Sequence, residues 1–200
     1  MLPRSAVCTV RTVYLCFSMS TSKDRILDAA ERVVLRDGAA HLTLDAVAQE
    51  SPLSKGGLLY NFPTKDALIR AMVARLSERF DAEMTRLAET DPCPAGRLSR
   101  AYVSACFPQP AALSAPHDRV AAGLLAAVAT NPSLLEPLRE GAQAIQAKLA
   151  EDCIDPVLAT VIKLATDGLW MADLFGVDSL DQDLRTQVIE RLRALTKGLP

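Results

Sequence analysis

A chain of 200 residues, half of them hydrophobic and 23% charged, can bury a substantial core, which excludes a wholly disordered polymer, a long repeat array and a large multi-domain enzyme. The net charge of −2 is unevenly spread. Residues 1–70 hold 9 Lys and Arg against 7 Asp and Glu, a balance of +2, whereas residues 71–200 hold 13 against 17, or −4, so the first third is the expected contact for a polyanion.

The five cysteines, Cys8, Cys16, Cys93, Cys106 and Cys153, are an odd number at wide spacings, without a C-x-x-C pair or a nearby histidine to complete a zinc site. That usage suits a reducing cytoplasm. His41 and His117 stand apart from each other and from any nucleophile motif. No catalytic constellation, metal site or cofactor is therefore expected.

Residues 1–20 are apolar, but Arg11 divides the run and no cleavage site of small residues follows. They read as an unstructured extension with Met19 as a candidate start. The rival reading is an amphipathic membrane anchor, because Val7, Val10, Val13 and Phe17 recur at helical spacing.

From Ser22 the apolar positions Ile26, Leu27, Ala30, Val33 and Val34 recur at three and four residues until Gly38, which predicts a first helix capped by Thr21 or Ser22. Thr43 caps a short second helix reaching about Glu50. Ser51-Pro52-Leu53 breaks it, since proline lacks an amide and restricts the residue before it. Ser54 caps a third helix through about Asn61. Thr64 caps a long fourth helix to about Glu89, its apolar face carrying Leu68, Ile69, Met72, Val73, Leu76 and Phe80.

Asp91-Pro92-Cys93-Pro94 then stops this helix. Further helices are expected at about 95–107, 118–130, 133–151, 155–175 and 181–197, separated by proline and glycine connectors. No stretch alternates with a period of two between tight turns, so the fold class is all-α with about nine helices. Lys163, Asp167 and Asp173 interrupt the apolar run from Val157 to Val177, which argues against a membrane span.

Two short capped helices separated by a three- or four-residue break, inside a three-helix unit, can present one helix to the major groove of DNA. Such a reader needs small or polar residues at its leading end and donors to phosphates at its rim. Ser54, Lys55, Gly56 and Gly57 supply the first, and Thr43, Tyr60, Asn61 and Lys65 the second.

The stretches T-L-D-A-V-A from Thr43, S-K-G-G-L-L-Y-N-F from Ser54 and P-T-K-D-A-L from Pro63 resemble the tetracycline-repressor-like (TetR) family of transcriptional regulators over about residues 22–72. The resemblance implies a recognition helix from Ser54 to Asn61. By the same resemblance Lys55, Gly56, Gly57 and Leu59 would face base edges, and Thr43, Tyr60, Asn61 and Lys65 would contact phosphates. Leu44, Val47, Leu58 and Phe62 would hold the unit together. The chain departs from the family pattern at Pro52, Gly57, Leu59 and Asn61, where the family often has Gly, Thr or Ser, Tyr, and His.

This divides the chain into an extension (1–20), a helix-turn-helix unit (21–68) and a helical ligand-binding and dimerisation unit (69–200). The resemblance implies a homodimer paired through the last two long helices, where Val161, Leu164, Ala165, Gly168, Leu169, Ala172 and Phe175, and Leu184, Val188, Leu192 and Leu195, form apolar stripes. Both stripes could equally be intramolecular core.

An apolar cavity for a hydrophobic or aromatic effector would draw on Phe80, Tyr102, Cys106, Phe107, Leu125, Val128 and Trp170, with Leu76, Leu124, Leu138, Ile145 and Leu174 as neighbours. The function expected is a ligand-responsive repressor binding a pseudo-palindromic operator in double-stranded DNA. The alternative is a helical small-molecule-binding module whose DNA affinity is weak or lost.

Overall fold

The computed structural model describes residues 21–108, 120–124, 131–177 and 179–197. Among these residues the architecture is all-α. Four helices lead the chain: α1 (Ser22–Asp37), α2 (Leu44–Glu50), α3 (Lys55–Asn61) and α4 (Lys65–Thr90). After them come α5 (Arg97–Cys106), α6 (Glu136–Ala150), α7 (Pro156–Phe175) and α8 (Gln182–Leu195), with 3-10 turns at Ala39–His41 and Pro132–Leu135 and helical residues at 120–124.

The start of each leading helix is set by its own sequence. Thr21 and Asp24 form a reciprocal capping box on α1. Thr43, Ser54 and Thr64 each accept the amide three residues on, at 3.1, 3.2 and 3.1 Å. Gly38, at φ +83°, ends α1 in the conformation a β-carbon disfavours.

α5 is capped from far away. Gly96 brings no side chain, and Asp152, buried in the α6–α7 turn, accepts from the amides of Leu98 and Ser99 and from the Ser99 hydroxyl at 2.8, 2.7 and 2.7 Å.

Three apolar clusters stack along the molecule. The first joins α1–α3 to the front of α4 through Ile26, Val33, Val47, Leu58, Phe62, Leu68 and Met72. Val120, Leu124 and Leu134 are packed into the same cluster. The second holds Met84 and Ala88 from the back of α4 with Tyr102, Ile145, Leu149 and Ala159. The third holds Val103, Phe107, Ile162, Leu169, Ile189 and Leu192.

At 26 residues, α4 is about 39 Å long at 1.5 Å per residue. It contributes to the first two clusters and so connects them as a single rod.

Candidate nucleic-acid interface

The geometry of the leading unit follows from which residues are anchored. Leu58 is fully buried and Phe62 nearly so, while Val47 is buried on α2 and Leu44 packs partly buried against them. These are the four residues expected to hold the unit. With Leu58 fixed inward, the residues around it on α3 face out. Lys55 and Gly56 are exposed, Leu59 is 38% exposed and Tyr60 90% exposed.

An exposed tyrosine at that level leaves an aromatic face and a hydroxyl free on the surface. Ser54 and Thr43 are exposed too, although their hydroxyls already accept cap hydrogen bonds. Lys65 and Gly57 are half-buried.

Asn61 is placed differently from a free rim donor. Its side-chain amide donates to the Gly57 carbonyl at 2.8 Å, one turn back along α3. This leaves its second N–H and its oxygen for other contacts. The bond also ties down a helix with two adjacent glycines, each costing about 1 kcal/mol relative to alanine.

Asp45 lay outside the sequence expectation. On the first turn of α2, its carboxylate sits 2.5 Å from the Lys55 ammonium. The only sequence signal was an acidic residue two positions after the Thr43 cap, a position that acidic residues favour in any helix.

Ion pairs fix the unit against its surroundings. Arg32 and Arg36 of α1 both reach Glu50 at the end of α2, each at 2.7 Å, and their hydrogen bonds hold the Glu50 carboxyl below its ordinary range. Arg75 of α4, almost wholly buried, meets Asp28 and Glu31 of α1 at 2.7 and 2.6 Å, and Arg79 adds a 2.9 Å contact to Glu31. α1 therefore moves with α4. Asn131 extends the linkage by donating to Asp66 on the first turn of α4 at 3.0 Å.

The residues expected to line a cavity fall into two clusters. Phe80, Tyr102 and Cys106 belong to the second, with Phe80 edge-on to Tyr102 at 5.4 Å. Phe107 and Trp170 belong to the third, which Cys106 also touches. The division follows from helix geometry, since residues four apart share a face and residues five apart lie about 140° round the axis. Tyr102 and Cys106 thus look one way from α5, and Val103 and Phe107 another.

Phe107 is further held by α8, with the Arg185 guanidinium 5.3 Å over its ring and Arg193 donating to its carbonyl at 2.8 Å. Leu125 and Val128 lie outside the described residues.

Beside these clusters stands one polar group. The Tyr102 hydroxyl donates to Asp167, whose other oxygen is 2.6 Å from Lys163, and the Lys163 ammonium lies 5.5 Å from the Tyr102 ring centre. Burial, first of all, pushes the Tyr102 phenol far above its usual value. A separate open groove of about 320 Å³ runs between α4 and α6 past Ser77, Glu78, Asp81, Glu140 and Lys148, and of the expected lining it takes in Ile145.

On α7, Val157, Val161, Leu164, Met171 and Phe175 are exposed, with the open Gly168 between them. Their spacing alternates four and three, a continuous seam along one helix face. Leu169 and Leu192, expected in the stripes, turn instead into the third cluster.

Comparison with known proteins agrees with this geometry. Residues 26–72 match the model of the bacterial regulatory proteins of the tetR family, and residues 96–197 match that of the tetracyclin repressor-like C-terminal domain. An uncharacterized HTH-type transcriptional regulator in the dhlA 5' region of Xanthobacter autotrophicus is 34% identical over 82 residues, which span 41% of this chain and 39% of the relative.

Among solved structures, the multidrug binding protein EbrR complexed with ethidium is 27% identical at a TM-score of 0.65, covering 86% of this chain and 98% of that one. The same protein complexed with malachite green gives 27% and 0.63, covering 85% and 96%. A TetR-family member from Streptomyces coelicolor A3 gives 26% and 0.65, covering 86% and 97%. With family models matched at both ends and the helix-turn-helix formed between Thr43 and Phe62, the chain belongs to the TetR family of DNA-binding transcriptional regulators.

Proposed function

We propose that the protein is a ligand-responsive repressor that binds a pseudo-palindromic operator as a homodimer in the cytoplasm. The observation that carries the reading is the outward face of α3. A short helix capped by Ser54 and pinned by the buried Leu58 presents Lys55, Gly56, Leu59 and Tyr60 to solvent, the size and chemistry that a major groove admits. Thr43 and Lys65 stand at its rim for phosphates.

The exposed seam of α7 supports the homodimer, because a lone chain gains nothing by leaving six residues at alternating four and three spacing in water. Two copies joined by a two-fold axis carry two α3 helices. Half-sites about one DNA turn apart, roughly 34 Å, match that arrangement.

The small-molecule effector rests on two supports: EbrR, which is similar in sequence and fold, is complexed with ethidium and malachite green, and aromatic residues Phe80, Tyr102 and Trp170 lie in this chain's second and third clusters or against them. A hydrophobic or aromatic compound fits those surroundings.

The continuity of the first cluster with Val120, Leu124 and Leu134, together with α4, gives such a compound a physical route to the DNA face. A ligand that prefers the non-binding arrangement by about 1.4 kcal/mol lowers operator affinity tenfold. No described helix is long and apolar enough to cross a membrane.

Selection of bound duplexes from a random pool tests the reading. An inverted repeat released by a hydrophobic aromatic compound supports it. Failure to retain any duplex at low salt, with small molecules still bound, favours a helical ligand-binding module instead.

A further inference from the structure

The surface around α3 carries a feature that phosphate binding does not account for. Lys55, the cation at the leading end of the reading helix, is held 2.5 Å from Asp45 of α2, and the two side chains are 61% and 70% exposed. A pair so open to water adds little to folding. It does place a carboxylate on the face expected to approach a polyanion, and cancels there the charge that would draw the helix to any phosphate.

We propose that Asp45 is a specificity-determining residue, which with Lys55 selects a G·C base pair in each half-site; the inference rests on α3 being the reading helix. Across the major groove a G·C pair displays two acceptors, N7 and O6 of guanine, followed by the N4 amino donor of cytosine. The O6 and N4 edges are about 2.9 Å apart, because they are themselves hydrogen-bonded. An ammonium beside a carboxylate at 2.5 Å presents the complementary order, donor to guanine and acceptor to the cytosine amino group.

The pair can dock on that edge without separating. An A·T pair interposes the N6 donor between its two acceptors, so the ammonium cannot span adjacent acceptors. On bulk DNA, Lys55 must leave Asp45 to reach a phosphate, and the abandoned carboxylate then faces the backbone unpaired. Asp45 thus penalises non-specific contacts while rewarding one base pair.

The test compares the full-length wild type, Asp45→Asn, Asp45→Ala and Lys55→Ala on a duplex selected by the wild type, on the same duplex with single G·C to A·T replacements, and on bulk competitor DNA. Wild type should lose about tenfold or more at one G·C position per half-site. Both Asp45 variants should lose less than threefold there and bind bulk DNA more tightly, with the slope of log affinity against log salt on bulk DNA steeper by about one, because Lys55 is freed for a phosphate. Lys55→Ala should also flatten the preference but weaken bulk binding.

Circular dichroism should show all variants folded, as exposed positions allow. If the wild type has a defined site whose base preferences, bulk affinity and salt slope are unchanged by both Asp45 variants, this inference falls alone. If the wild type retains no duplex, the assignment of α3 falls with it.

Discussion

A β-carbon at Gly123 would stand 2.9 Å from Cγ1 of Val34 on α1 and 3.6 Å from the β-carbon of Ala39. The segment 120–124 therefore lies flush on the end of α1, its flanking Val120 and Leu124 buried in the first cluster. A glycine at this point lets two backbones approach, and nothing larger fits without displacement.

Gly123→Ala should lower stability by about 1–3 kcal/mol, measured by urea unfolding. Val34→Ala costs stability on its own by emptying part of the first cluster, but the double variant should lose less than the sum of the two, because the colliding methyl is gone. Strict additivity of the two changes in a double-mutant cycle would show that this contact is not made.

The cap on α5 gives a second prediction. Asp152 satisfies two backbone amides and a hydroxyl in a buried site, and its removal leaves donors unpaired away from water. Asp152→Ala should cost about 3 kcal/mol, and Asp152→Asn should also destabilise, because both carboxylate oxygens accept backbone amides and an amide side chain would turn its NH2 group onto one of those N–H donors. Equal unfolding midpoints for Asp152→Ala and wild type in urea would contradict this.

Acid sensitivity should trace to Asp91 and Arg100. The guanidinium contacts both carboxylate oxygens, at 2.7 and 3.0 Å, and this hydrogen bonding is the main cause holding the Asp91 carboxyl below its ordinary 3.8. A folded value below the unfolded one contributes stability above the unfolded value and loses it as pH falls through the folded value.

Asp91→Asn should therefore be less stable than wild type at pH 7 by about 1.5–3 kcal/mol. The gap should narrow as pH drops below about 4. Thermal unfolding of both proteins between pH 7 and pH 2 measures it, and a constant gap would refute the assignment.

The seam on α7 predicts the oligomeric state. Leu164 is 62% exposed at its middle, so in the proposed homodimer Leu164→Glu would put a charge into the seam of each protomer and should convert dimer to monomer, read by sedimentation. Leu169→Glu should instead unfold the chain, because that side chain is buried in its own protomer's third cluster. A wild-type monomer at micromolar concentration would contradict the seam.

Much of the leading unit was legible because its signals are local. Thr43, Ser54 and Thr64 each cap within three residues of themselves, and Gly38 and Pro52 mark breaks through their own backbone restrictions. The expected span ending at about Glu89 closes at Thr90, and that from about 181 begins with Asp181 as cap.

What escaped depends on residues distant in sequence. Asp152 caps a helix 53 and 54 residues earlier, and Arg75 finds its acids on α1, 47 residues away in the case of Asp28. Neither spacing has a pattern. The lining of a cavity is less legible, because an apolar side chain does not announce which face of its helix it takes, and Tyr102 and Phe107 join different clusters.

The most direct measurement of the central claim is the affinity of Lys55→Ala and Tyr60→Ala for a duplex selected by the wild type, by fluorescence anisotropy, with helicity and sedimentation recorded for each. Both side chains are exposed on α3, so each variant should remain a folded dimer and bind about tenfold or more weakly. Wild-type affinity in both variants would contradict the claim that this face of α3 reads DNA.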